Sequence, residues 1–193
     1  MRIIGGVWRS RCLVRPSSAT TRPVPDRVRE AIFDMLGSHY DTPGALPALR
    51  VADVFAGSGS MGLEALSRGA GSCCFFERNR AALDALRRNL TALAVGPEAR
   101  IIARDAWREA LESPDACCFD LVLLDPPYAD SDDATPDGAV TRYLTNLARL
   151  HGANPLVVLH HRARVQYSAP SDEAWSVLRQ RTFGSSGVTF FQL

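Results

Sequence analysis

The tetrapeptide Asp125-Pro126-Pro127-Tyr128 holds the most chemistry in this chain. Two consecutive prolines stiffen the backbone and remove two N–H donors. What remains is a ledge of acceptors, the Asp125 carboxylate and the Pro126 carbonyl, with the Tyr128 ring as a stacking face. A flat ring carrying an exocyclic amine fits such a ledge, because both amine hydrogens meet acceptors while the ring stacks. Held in that way, the nitrogen lone pair leaves ring conjugation and can be aimed at a methyl-sulfonium. The expected reaction is an in-line displacement assisted by positioning and electrostatics, with no metal and no strong base. A proline-stabilised turn without ligand is the plain alternative.

Three other loops carry matching features. Gly57, Gly59 and Gly62 satisfy G-x-G-x-x-G after a short apolar run. Such glycines allow a tight turn and let a ligand approach the backbone and the next helix N-terminus. The pattern alone fits NAD, FAD or S-adenosylmethionine. Asp53 favours the last, since a carboxylate there repels a pyrophosphate but suits a cationic ligand. Glu77, 24 residues after Asp53, stands where an acidic residue accepts from ribose hydroxyls. Asp105 can meet an adenine amino group or, equally, cap a helix before Trp107. The expected donor-binding set is therefore Asp53, Phe55, Ala56, Gly57, Ser58, Gly59 and Gly62 on one loop, Glu77 and Arg78 on the next, and Asp105 and Ala106 on a third.

Elements must bring these loops together. Asp26 to Leu36 has Val28, Ile32, Met35 and Leu36 on one helical face, with Gly37 at the expected stop. Strands are predicted at Arg50 to Phe55, Ser72 to Glu77, Arg100 to Ala103, Phe119 to Asp125 and Pro155 to His161. Helices are predicted between the first two, after Asn79 with Leu83, Leu86, Leu90 and Leu93 in phase, and over Gly138 to Leu150. Two closing strands, about Trp175–Phe183 and Val188–Gln192, imply an antiparallel pair at the end of the sheet. Alternating strands and helices predict a doubly wound α/β sheet with its ligand beyond the carboxyl ends of the strands. Every loop named above falls there.

Composition narrows the setting. The 193 residues suit one domain with a small appendage, and 46% hydrophobic content can bury a core. Net charge is only +1, yet residues 1–30 carry seven arginines against Asp26 and Glu30, a local net of +5. A basic segment of that kind can hold phosphates; a solvated tail is the alternative. All 22 basic residues are arginine, a bias that runs through the whole chain. The five cysteines form no C-x-x-C and read as reduced, buried thiols. No secretory h-region or membrane-length apolar run is visible, so a cytoplasmic protein is expected. His160-His161 reads as structural, while Arg162 and Arg164 can add to a basic surface.

These residues, in this order, resemble the RsmD family of bacterial 16S rRNA methyltransferases. The likeness lies in Arg2 to Arg11 (RIIGGVWRSR), in Arg22-Pro23 leading to Asp26–Phe33 (DRVREAIF), and in Asp53 to Ala70, and it covers nearly the whole chain. Asp-Pro-Pro-Tyr by itself is shared with DNA adenine methyltransferases. The chain departs from the family pattern at Ser10, Cys12, Val24, Pro25 and Asp34. The resemblance implies a Rossmann-like class I methyltransferase fold, with a seven-stranded, mostly parallel sheet, a terminal antiparallel strand and an N-terminal arm. It implies an arm or hairpin over residues 1–25 and a methyltransferase domain over 26–193. It implies methyl transfer from S-adenosylmethionine to N2 of a guanine, conventionally position 966. Asp125, Pro126, Pro127 and Tyr128 would hold the base, and Arg9, Arg11, Arg22, Arg27 and Arg29 would hold RNA. The expected partner is 16S rRNA or a 30S assembly intermediate, met by a monomer that binds neither metal nor membrane. Competing readings are DNA adenine-N6 methylation, a non-catalytic nucleic-acid-binding module, and an NAD-dependent oxidoreductase that would leave Asp125 to Tyr128 unexplained.

Overall fold

The computed structural model describes residues 1–17, 24–108, 119–150, 155–170 and 175–193. In chain order the elements are α1 (Asp26–His39), β1 (Arg50–Val54), α2 (Ser60–Ser67), β2 (Ser72–Phe76), α3 (Arg80–Ala92), β3 (Ala99–Ile102), β4 (Leu121–Leu124), a one-turn α4 (Tyr128–Ser131), α5 (Ala139–Leu150), β5 (Leu156–Arg162), β6 (Ser176–Phe183) and β7 (Ser186–Gln192). The strands form one seven-stranded sheet in the order β3-β2-β1-β4-β5-β7-β6. β7 runs antiparallel to both neighbours and the rest of the ladder pairs in parallel. The predicted strands are found, each trimmed or shifted by a residue or two at its ends.

Both faces of the sheet are covered, and the side chains divide by parity. Val51, Phe75, Leu121, Leu123, Leu156, Val158, Val188 and Phe190 pack towards α1 and α2. Ala52, Val54, Phe76, Val122, Leu124, Val157, Leu159 and Phe191 pack towards α5, where Val140, Tyr143, Leu144 and Leu147 form the apolar stripe. β6 closes the open edge with exposed residues that include Arg179 and Arg181, a charged edge that resists pairing with another sheet.

Two local expectations need correction. Gly37 does not end α1, which continues to His39. A Cβ on Gly37 would stand 3.0 Å from the Thr42 carbonyl and 3.1 Å from the Gly44 nitrogen, so this glycine permits close passage of the following loop. Cys12 is exposed rather than buried; Cys73 and Cys74 are buried, and Cys117 and Cys118 lie outside the described residues. Asn79 caps α3 as expected, its side chain accepting from the Ala82 N–H.

Residues 1–13 form a small hairpin in which Arg2 bridges Cys12 and Ile3 donates to the Arg11 carbonyl. Its Ile3 and Leu13 sit in the same core as α1 and α2. One buried carboxylate ties these parts together. Glu64, on α2, accepts from the Ile4 and Gly5 N–H groups, each at 2.8 Å, and from Arg68 Nε at 2.9 Å. The Arg29 guanidinium of α1 lies 3.6 Å away, and neither side chain touches solvent. A Cβ on Gly6 would fall 1.8 Å from the Ser67 carbonyl oxygen, so only glycine lets the hairpin lie this close to α2.

Removing one member of a buried ion cluster strands the others without counter-charge. Glu64→Ala is expected to cost on the order of 3–5 kcal/mol, read from the urea midpoint. A loss below about 1 kcal/mol would show that Arg29 and Arg68 do not depend on it.

Candidate active site

Strand register assembles the site. Val54 pairs with Phe76 and with Leu124, and Leu124 pairs with Leu159. One step further along each chain stand Glu77, Phe55, Asp125 and His160, in one row at the carboxyl edge. By parity Asp53, Glu77, Asp125 and His160 all project to the α2 side. Phe55 breaks the alternation: its φ is +68°, rare for a residue with a side chain, and its ring packs on the other side, 4.7 Å from Trp107.

The glycine loop is held by carboxylates. Asp53 is buried, and its Oδ2 accepts from the Gly62 N–H at 2.8 Å, fixing the start of α2. Glu77 accepts from Gly57 through one oxygen and from Arg78 and Asn79 through the other. Gly57 has positive φ and faces open space, whereas a Cβ on Gly59 would strike Leu86 at 2.4 Å and one on Gly62 would strike Phe75 at 2.4 Å. Gly57 thus serves the open side of the loop, and Gly59 and Gly62 serve packing. Asn89 completes the brace: it donates to the Ser58 and Val14 carbonyls and accepts from the Val14 N–H.

Burial pushes the Asp53 carboxyl up to about 7; Asp125 and Glu77 add to the rise, and the Gly62 hydrogen bond opposes it. Three acidic groups on one face of one edge make a site that favours a cationic ligand. Asp105 plays the capping part through its bond from the Trp107 N–H, and its other oxygen pairs with Arg78. Ala106 is buried where a helical turn begins.

Pro127 leads into α4, its carbonyl accepting from Asp130 and Ser131. Tyr128 therefore starts a helical turn directly after the ledge. The Arg162 guanidinium lies 4.5 Å from the Tyr128 ring centroid, over one face. Asp132 stands 3.2 Å from Arg162 and 2.7 Å from Arg164. The acidic stretch after Tyr128 is thus mostly engaged: Asp130 accepts from the Trp107 indole, Asp132 pairs with two arginines and Asp133 accepts from Thr135.

Sequence reasoning missed His160. It is buried, and its Nδ1 lies 2.7 Å from Asp125 Oδ1. The signal available was its place one residue past Leu159, in step with Asp125 past Leu124. His161, by contrast, is structural: it faces the other way, within 2.8 Å of the Thr189 hydroxyl, and burial lowers its pKa.

The chain matches known proteins over nearly its whole length. The family model described as "Conserved hypothetical protein 95" matches residues 1–192. Ribosomal RNA small subunit methyltransferase D of Haemophilus influenzae is 29% identical over 193 residues, which are all of this chain and 93% of that one. The Escherichia coli protein of the same name is 40% identical over 128 residues, 66% of this chain and 60% of its own. The chain belongs to the RsmD family. Among solved structures, a hypothetical protein of Thermus thermophilus superposes with TM-score 0.75 at 30% identity, over 98% of each chain. The Thermus thermophilus 16S rRNA N2 G1207 methyltransferase RsmC, in complex with AdoMet and guanosine, shares the fold with TM-score 0.66 at 18% identity, over 91% of this chain and 44% of that one. The Rossmann-like methyltransferase fold expected for an RsmD relative is the fold observed.

The arginines expected on RNA are dispersed. Arg9 and Arg27 are exposed, and Arg11 is exposed with a bond to the Ala92 carbonyl. Arg29 is not available: it is fully buried among Glu64, Asp26 and the Val24 and Arg2 carbonyls, so it holds the fold instead of a phosphate. Arg22 lies outside the described residues. The hairpin tip is tied to Ser67, at the end of α2 away from the glycine loop. Arg27 instead lines a cleft with Phe183 and Ser185, beside the end of β5. Among the described residues no helix is long and apolar enough to cross a membrane, and no cluster of metal-ligating side chains is found.

The raised Asp53 value has a thermodynamic consequence. The folded chain holds this proton more tightly than the unfolded chain, whose value is 3.8. The contribution to stability is fully present below about pH 4 and is lost as pH rises through about 7. Asp53→Asn should therefore remove about 2 kcal/mol of the decline in unfolding free energy between about pH 5 and pH 7. Parallel stability profiles for the two proteins would show Asp53 to be ionised throughout.

Proposed function

We propose that this chain transfers a methyl group from S-adenosylmethionine to the exocyclic N2 of a guanine in 16S rRNA, at position 966. The observation that carries the reading is the row at the carboxyl edge, where the Asp125 carboxylate and the Pro-Pro ledge stand beside a glycine loop braced by Asp53 and Glu77. Two relatives named small subunit methyltransferase D and the AdoMet- and guanosine-bound RsmC, which shares the fold, support the substrate class.

S-adenosylmethionine supplies an electrophilic methyl group on a sulfonium. The acidic face and the open side of Gly57 fit its cationic end, and Glu77 retains acceptor capacity for ribose hydroxyls. Asp125 and the Pro126 carbonyl hold the amine hydrogens, with Tyr128 against the base. The N2 lone pair forms the new N–C bond as the S–CH3 bond breaks and its electron pair returns to sulfur. One N2 proton passes to the Asp125 carboxylate and on to solvent. Positioning and fixed negative charge do the work.

The RNA is met by exposed arginines, with Arg27 in the cleft beside the end of β5 and Arg9 and Arg11 on the hairpin. The partner is 16S rRNA, free or within a 30S assembly intermediate, and the protein acts as a cytoplasmic monomer.

Labelled donor and rRNA from a strain lacking the modification test the reading. Label is expected in N2-methylguanine; label on adenine, or on DNA alone, refutes it. Asp125→Ala should lower kcat by about 10²-fold or more while donor affinity stays within about threefold. Replacing Arg9, Arg11 and Arg27 together should weaken RNA binding and flatten its salt dependence, by about 0.7–0.9 in log–log slope for each lost phosphate contact. An unchanged slope would move the RNA surface elsewhere.

A further inference from the structure

We infer that His160 is the positioning residue for Asp125, its Nδ1–H fixing one carboxylate oxygen so that the other is presented to the reacting amine. The inference rests on the methyl-transfer reading above. Nδ1 of His160 and Oδ1 of Asp125 are 2.7 Å apart. At that distance a proton must lie between them, and with the carboxylate oxygen as acceptor it sits on the ring nitrogen. His160 is 2% exposed, and its Nε2 is buried without a hydrogen-bond partner among the described residues. An N–H at Nε2 would be buried with no acceptor, so Nδ1 is the ring nitrogen that donates. This polarity makes His160 a fixed donor.

The sheet leaves the ring little freedom. β5 pairs with β4 on one side and with β7 on the other, and His160 lies opposite Val188. The Asp125 backbone is tied through its N–H to the Val54 carbonyl, and Pro126 follows it. Its side chain is a quarter exposed and would otherwise rotate between the ledge and solvent. With Oδ1 engaged, Oδ2 has no donor among the described residues and is the oxygen open to an N–H of the substrate. Orienting a catalytic group through a buried partner lowers the entropy lost on reaching the transition state. A purely structural histidine would act through stability alone.

Three substitutions on the full chain test it with 16S rRNA and labelled S-adenosylmethionine. In His160→Asn the amide N–H stands near the position of Nδ1. His160→Gln keeps the amide but carries it one methylene too far, and His160→Leu has no donor. Asn is expected to keep kcat within about threefold, while Gln and Leu lose about tenfold or more, the scale of one hydrogen bond to a charged group. The KM for the donor and its calorimetric Kd should stay unchanged in all three. Wild-type kcat in His160→Leu, or equal losses in Asn and Leu proteins of equal Tm, would overturn the inference. Should Leu or Gln fail to fold, ¹⁵N-histidine spectra of the wild-type protein decide the matter. They should show two buried rings with Nδ1–H, that of His161 facing the Arg162 carbonyl and that of His160, and only the His160 proton resonance should move upfield in Asp125→Ala; an Nε2–H tautomer at His160, or no movement, overturns it. Turnover retained in Asp125→Ala would instead remove the methyl-transfer reading. A dead Asp125→Ala beside a fully active His160→Leu would remove only the role of His160.

Discussion

Parallel register between β1, β2, β4 and β5 is the constraint on which the rest of this molecule depends. Hydrogen bonding fixes Val54, Phe76, Leu124 and Leu159 opposite one another. The residues that follow are then neighbours in space, though the chain separates them by tens of positions. Because side chains alternate, a slip of one residue in β4 would turn Asp125 to the α5 side and present Leu124 in its place. The apolar cores on both faces penalise that slip, since Leu121 and Leu123 would exchange environments with Val122 and Leu124. Packing far from the site thus sets where the carboxylate points.

Two buried acids show how differently the chain handles charge. Glu64 is surrounded by two arginines and two backbone N–H groups, so its ionised form is compensated. Asp53 is held up first by its burial and then by two other acids, against which it receives one N–H, so its proton is held towards neutral pH. The first arrangement fastens elements to one another. The second leaves unmet demand for positive charge on the face where a cationic ligand would lie.

Much of this was legible in the sequence, and the failures have physical reasons. Strands such as Leu121–Leu124 are short apolar runs with turn signals beside them, and α3 repeats leucine at helical spacing after a capping Asn79. The glycine loop and the Asp-Pro-Pro-Tyr ledge are local patterns whose meaning needs little tertiary context. Arg29 was misjudged because an arginine among arginines reads as surface; only the docking of α2 against α1 shows that Glu64 takes it inward. Gly37 was misjudged because a glycine near a helix end reads as a stop, and nothing local reveals that residues 42–44 pass over it. His160 was passed over because its partner stands 35 positions away, on another strand.

The Glu64 cluster also says something about the order of events when the chain is made. The Ile4 and Gly5 N–H groups find their acceptor 60 and 59 residues later. During synthesis these two N–H groups therefore lack their acceptor until Glu64 has been added to the chain. Docking of the hairpin on α2 is a contact of long sequence separation, made only once Glu64 has been synthesised. A nascent chain paused before Glu64 lacks the α2 surface on which the hairpin docks, and would leave Ile3 and Leu13 without that part of their core.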